Sequence, residues 1–224
     1  MKYPFLSFLL FLLVALPLSS FAQTSPTTYI TWRANNFYPA GFKGKALPTP
    51  GTTIIIAAEV IKSGKLFDSS TATFSWSVDG RSALTGVGKK EYSFVATKKD
   101  SKSHFVQVSI KSGMETITGA ITIPLTVPQT VIEAPFPMKK VSENIKGNIQ
   151  AIPYFFNITS ISDLLFSWRV NSFNKNAGSD NQLTFETGSP QLATDRLLEI
   201  VSYIQNTKGI YELATSRTQL TIIK

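Results

Sequence analysis

One pentapeptide occurs twice. Phe74-Ser75-Trp76-Ser77-Val78 returns as Phe166-Ser167-Trp168-Arg169-Val170, 92 positions later. Each copy alternates apolar and polar side chains around a tryptophan, the pattern of a half-buried strand. The flanking segments repeat in the same order. The strand that carries Ile54 is answered by residues 149–156, and Tyr92-Ser93-Phe94 by Leu183-Thr184-Phe185. The segment that begins at His104 is answered by residues 196–202, and Ile121-Thr122-Ile123 by Leu220-Thr221-Ile222. The last pair is offset by 99 rather than 92, which predicts a longer final hairpin in the second copy, around residues 206–209. A chain of 224 residues with this period is two copies of one module.

Within a module the short apolar alternations are separated by turn signals. Asp79-Gly80, Gly86-Val87-Gly88 and Ser112-Gly113 punctuate the first copy, and Asn171 stands where Asp79 does. Sustained helical periodicity is absent, apart from a weak trace over residues 191–200 that the repeat assigns to loop and strand. The expected fold is all-β: two tandem Greek-key β-sandwiches after an N-terminal signal peptide, divided as 1–22, 23–128 and 129–224. Trp76 and Trp168, with Phe74 and Phe166, are the expected structural core. The segment from Val127 to Val131, with Pro128, is the expected stiff linker.

The first 22 residues read as an export signal. Lys2 provides the positive start, residues 5–18 are an almost unbroken apolar run, and Ser20-Phe21-Ala22 offers a small-x-small cleavage site before Gln23. The run is shorter than the roughly 20 apolar residues a membrane span requires. Membrane attachment is expected only through this segment, if it is uncleaved. The chain has no cysteine, which excludes disulfides, thiolate metal sites and cysteine nucleophiles. Extracellular sandwiches of eukaryotes usually carry an inter-sheet disulfide, so this lack points to a bacterial exported protein.

Charge is uneven. Up to Pro128 the expected first module carries 12 basic and 6 acidic residues; the second carries 9 and 8. Lys89, Lys90, Lys98, Lys99 and Lys102 fall on two successive connections, and the expectation is a patch for an anionic polymer. Exposed aromatics for base stacking are not interleaved with them, so nucleic acid is not an expected partner. The stretch 35–51 is rich in Pro and Gly and joins two strands as a long loop. Its aromatics Phe37, Tyr38 and Phe42, with Trp32 just before, either anchor the loop or form a contact surface; anchoring is the favoured reading.

The residue types of catalysis are sparse. His104 is the only histidine and is expected to be a half-exposed strand-end residue. The aspartates are scattered singly, so no calcium or other metal site, no cofactor and no catalytic residue is expected. Gly86-Val87-Gly88 with Lys89 and Lys90 lacks the spacing of a phosphate loop. Asn157-Ile158-Thr159 fits a glycosylation sequon and carries little weight in a bacterial protein.

The run Phe74-Ser75-Trp76-Ser77-Val78-Asp79-Gly80, with the later alternation His104-Phe105-Val106-Gln107-Val108, resembles bacterial immunoglobulin-like modules of the PKD-like type. It departs from their usual form, which has an acidic residue after the tryptophan and a Gly-Asp-Gly turn. The resemblance covers most of both modules and is one of fold superfamily. It implies a secreted, periplasmic or cell-surface, non-enzymatic protein with a structural or adhesive role, acting through sandwich faces or edges on an unknown surface protein or polymer. The alternative it leaves open is a carbohydrate or cell-wall polymer binding module.

Overall fold

The computed structural model describes residues 25–98, 102–192, 196–208 and 212–224. The expected export segment and Lys99 lie outside the described residues. The first sandwich is built from β1 (Thr27–Asn35), β2 (Thr53–Lys62), β3 (Lys65–Leu66), β4 (Thr73–Val78), β5 (Arg81–Val87), β6 (Glu91–Val95), β7 (Ser103–Ser112) and β8 (Glu115–Pro124). One sheet joins β1, β2 and β3, with β6 also on β2; the other runs β5-β4-β7-β8. The second sandwich uses β9 (Gln129–Glu133), β10 (Lys140–Ser142), β11 (Lys146–Tyr154), β12 (Leu164–Val170), β13 (Phe173–Gly178), β14 (Gln182–Glu186), β15 (Leu197–Asn206) and β16 (Leu213–Ile223). Its sheets run β14-β11-β9 and β10-β16-β15-β12-β13. Both are immunoglobulin-like sandwiches with the tryptophan strand at an interior position, β4 within β5-β4-β7-β8 and β12 within the five-stranded sheet.

Period-2 alternation builds each core. On β2 the inward positions Ile54, Ile56, Ala58 and Val60 are all fully buried, and Phe74, Trp76, Val106, Val108 and Ile110 meet them from the other sheet. On β7 it is Val106 that points inward, while Phe105 is 43% exposed. The second core gathers Ile149, Ala151, Phe166, Trp168, Phe185, Ile200, Ile204 and Leu220. The tryptophans are equivalent in position but not in bonding. Trp76 Nε1 donates to the Lys89 carbonyl at 2.8 Å. Trp168 Nε1 is buried without a partner, as is the hydroxyl of Ser202, its neighbour across the ladder. In the first sandwich that neighbour is Val108.

The turn after the tryptophan strand is used alike in both. Asp79 and Asn171 both take positive φ, 52° and 50°, a region that Asp and Asn tolerate best among residues with a side chain. Asp79 N–H donates to the Phe105 carbonyl and Asn171 N–H to that of Glu199, each at 2.8 Å. Each side-chain Oδ1 accepts the N–H of the same residue, at 3.0 Å in the first sandwich and 2.8 Å in the second. Asn replaces Asp here because the clamp needs only a carbonyl-type oxygen.

The entry strands differ. β1 stays on β2 for nine paired residues and passes close to β8, where a Cβ on Gly119 would fall 2.7 Å from Thr28 Cγ2. In the second sandwich this strand divides: β9 pairs with β11, and β10 crosses over to run parallel with β16. The connection between the sandwiches is residues 125–128, because Gln129 to Glu133 already belong to β9. The expected linker therefore runs too far: Val131 lies within a ladder, opposite Ile152.

Candidate functional site

Two places hold polar side chains that the sandwich itself does not require. The first is the junction. The 36–52 loop leaves β1, crosses to the second sandwich and returns to β2. Phe37 exchanges backbone hydrogen bonds with the start of the loop after β11: its N–H donates to the Phe156 carbonyl at 2.8 Å and its carbonyl accepts from Phe155 N–H at 2.6 Å. Its side chain packs on the second core. Phe42 meets Tyr154 and Phe155 edge-on, at 5.6 and 5.7 Å between ring centres. Thr126 N–H reaches back to the Pro48 carbonyl at 2.9 Å. The loop thus acts as a clasp between the two units.

Beneath the clasp lies a buried carboxylate. Glu212 is 3% exposed and sits just before β16, in the longer final hairpin of the second sandwich. Its Oε1 accepts from Asn157 Nδ2 at 2.7 Å and lies 3.1 Å from Thr49 Oγ1. Its Oε2 accepts from Asn157 N–H at 2.9 Å and Asn206 Nδ2 at 2.8 Å. Thr49 and Thr52 are fully buried, and Thr52 Oγ1 donates to Asn157 Oδ1 at 2.7 Å. The carboxylate is held by neutral donors from both sandwiches, with no cation against it among the described residues. Burying a charge this way is tolerable only when its lone pairs are filled. Phe155, whose carbonyl accepts from Thr49 Oγ1 and Asn36 Nδ2, is held at φ 65°, a strained value for a bulky side chain. The sequon asparagine, Asn157, is at the centre of this network, so its amide is committed to structure.

The four aromatics named from sequence do not share one surface. Phe37 and Phe42 are in the clasp, Tyr38 stays 46% exposed beside Phe42, and Trp32 is on β1 with Lys45 Nζ 3.7 Å above its ring. The four described lysines of the expected patch, Lys89, Lys90, Lys98 and Lys102, do not gather either. Lys89 and Lys90 precede β6, whereas Lys98 and Lys102 follow it. Five strand residues separate the pairs by about 17 Å. Lys98 is moreover engaged, with Nζ 2.7 Å from Asp79 Oδ1 and 2.8 Å from the Ser103 carbonyl.

The second place surrounds His104. The half-exposed histidine expected from sequence is instead 1% exposed, because the Asp79 turn and the Thr97 backbone close over it. Its Nδ1 lies 2.7 Å from Asp79 Oδ2, and Thr97 N–H points at Nε2 from 3.3 Å. An N–H can only donate, so Nε2 accepts and Nδ1 carries the proton. Both nitrogens are therefore hydrogen-bonded, one to a side chain and one to the backbone. Burial opposes ionisation of Asp79. Hydrogen bonds from Lys98, Phe105 N–H and His104 outweigh it and hold the carboxyl at about 2, below its ordinary 3.8. Between β5 and β6, next to this group, opens a cleft of about 610 Å³. No group of three or more metal-ligating side chains occurs among the described residues.

No family model matches the chain, and no curated protein matches it in sequence. Solved tandem sandwiches resemble it in architecture. Three N-terminal domains of the bacteriophage RB49 highly immunogenic outer capsid protein align at 14% identity and a TM-score of 0.45, over 88% of this chain and 59% of that one. The chain therefore spans less than two thirds of that fragment. Fibronectin(III)-like modules of Clostridium thermocellum CbhA align at 9% identity and 0.32, over 86% and 93%. The four N-terminal Ig domains of a Dscam1 isoform align at 11% identity and 0.33, over 86% and 47%. The likeness is to tandem immunoglobulin-like modules.

Proposed function

We propose that the chain is an exported, non-enzymatic structural or adhesive component of a cell surface, with residues 1–22 as a cleaved export signal. The observation that carries this reading is the junction. A protein that bears load or presents a face at a distance must resist bending between its modules. A clasp of Phe37 and Phe42 over a buried Glu212 network does so far better than four connecting residues alone. The stiffness expected from Pro128 is thus supplied by the 36–52 loop. The one histidine is buried with both ring nitrogens hydrogen-bonded, which fits a structural role.

The test is made on intact cells that express the native chain. Surface-restricted crosslinking should recover the protein with a partner protein or polymer, and the recovered chain should begin at Gln23. A chain that keeps Met1 and stays with the cytosolic fraction would refute export. Export with hydrolysis of surface polymers by the purified protein would refute the non-enzymatic role.

A further inference from the structure

The two sheets of the first sandwich do not meet along β5 and β6. The gap is the cleft of about 610 Å³, a volume within the roughly 300–1,000 Å³ of small-ligand sites. One wall is aromatic. Tyr92 and Phe94 are two apart on β6 and so face the same way. Their rings are 5.8 Å apart and nearly parallel, at 13°, and the strip continues to Trp76 at 6.4 Å. Both are only half-buried and line the cleft. The other wall holds Asp79 and Arg81. Asp79 is neutralised by Lys98, which leaves the cleft one uncompensated cation: Arg81, exposed and without a hydrogen bond or ion pair among the described residues.

The second sandwich serves as an internal control. Leu183, Phe185 and Leu198 occupy the positions of Tyr92, Phe94 and His104, and all three are buried. A sandwich of this topology therefore closes without the tyrosine, the histidine or the ion pair. Their presence in the first sandwich holds the cleft rim in place: His104 and Lys98 fix Asp79, and Asp79 fixes the turn that carries Arg81.

We infer that this cleft binds an acidic saccharide. A pyranose ring lays its C–H face on the Tyr92 and Phe94 strip, and its carboxylate takes the planar two-pronged donor of Arg81. The inference goes beyond a structural or adhesive role and holds wherever the chain is located.

The full chain, labelled with ¹⁵N, is titrated with trimers of galacturonic, glucuronic and mannuronic acid, and with their methyl esters. At least one acid should bind saturably, with amide shifts at residues 81–83 and 92–98. Arg81→Gln should weaken that acid about tenfold, the worth of one charge-assisted contact, and leave the ester unchanged. Tyr92→Leu installs the second sandwich's residue and should weaken acid and ester alike while the melting curve stays cooperative. Ser82→Trp, at an exposed rim position, blocks the cleft without touching the core and should abolish binding. No binding at millimolar acid, equal binding of acid and ester, or shifts away from the cleft would each overturn the inference.

Discussion

The two sandwiches share the order of their central strands, β5-β4-β7-β8 matching β13-β12-β15-β16, and differ in how they satisfy their polar groups. The first seats its tryptophan N–H on the Lys89 carbonyl, and buries a histidine against Asp79. The second leaves the tryptophan N–H bare and has Leu198 in the histidine position. Its own investment lies at the other end, in a hairpin that carries Glu212 to the junction. Duplicated modules thus keep the apolar alternation that makes the fold, while the polar groups diverge to serve a cleft in one copy and a joint in the other.

The largest expected effect tests the shared part. Trp76→Ala should cost about 3–5 kcal/mol, the range for emptying a buried aromatic site, and unfold the first sandwich. Near-native stability with only binding lost, by urea titration, would show that the tryptophan is not the core pin.

Glu212→Ala comes next and addresses the joint. It orphans Asn157 N–H and takes the carboxylate partner from the Asn157 and Asn206 side-chain amides and from beside the Thr49 hydroxyl, which keep only their remaining contacts. The cost should be about 2–4 kcal/mol, and the sandwiches should gain independent motion. Rotational correlation times from NMR relaxation should separate for the two halves. If they remain equal, the aromatic clasp alone sets the geometry.

Asp79→Asn makes the first turn resemble the second. The Oδ1 clamp on Phe105 N–H is kept, as Asn171 shows. The ion pair to Lys98 is lost. The amide also presents a donor to His104 Nδ1, so the imidazole cannot satisfy both this partner and Thr97. The carboxyl is held at about 2 against an ordinary 3.8. Its stabilisation is therefore complete above pH 3.8 and disappears as pH falls through about 2. The cost should be about 1–2 kcal/mol at pH 6, since the side chain is 28% exposed, and should fall near pH 2, where the carboxyl's charge is lost. A penalty unchanged between pH 6 and pH 2 would assign the effect to the amide's mismatch with His104 and leave the ion pair with no share.

Much of the fold was legible and little of the site was. Period-2 alternation and the repeated Phe-Ser-Trp marked the core strands because burial imposes them on every copy. The network at Glu212 draws single polar residues from four separate stretches, near 36, 49–52, 155–157 and 206–212, and each looks like ordinary loop composition. Its one visible trace was the drift of the repeat offset from 92 to 99, which announced a longer hairpin without saying what it held. The described lysines of the expected patch fall on either side of β6, because proximity in sequence ignored the strand between the two connections. His104 was misjudged because the lysine-rich stretch before it suggested a surface, whereas Asp79, 25 residues away, folds over it through a positive φ.

The smallest effect separates the two tryptophans. Trp→Phe removes the N–H and some ring area at either site. At Trp76 it also strands the Lys89 carbonyl, whose partner is the indole. At Trp168 it removes a buried donor that has no partner, so part of the packing loss is returned. Trp76→Phe should therefore exceed Trp168→Phe by about 1 kcal/mol, the net worth of one buried hydrogen bond, by the shift of each sandwich's urea midpoint. The difference should grow when Trp168→Phe is combined with Ser202→Val, which removes the second buried, unpartnered group and puts valine where the first sandwich has Val108. Equal penalties at the two sites would mean that the indole N–H contributes nothing to either core, and that the sandwiches differ in cleft and joint alone.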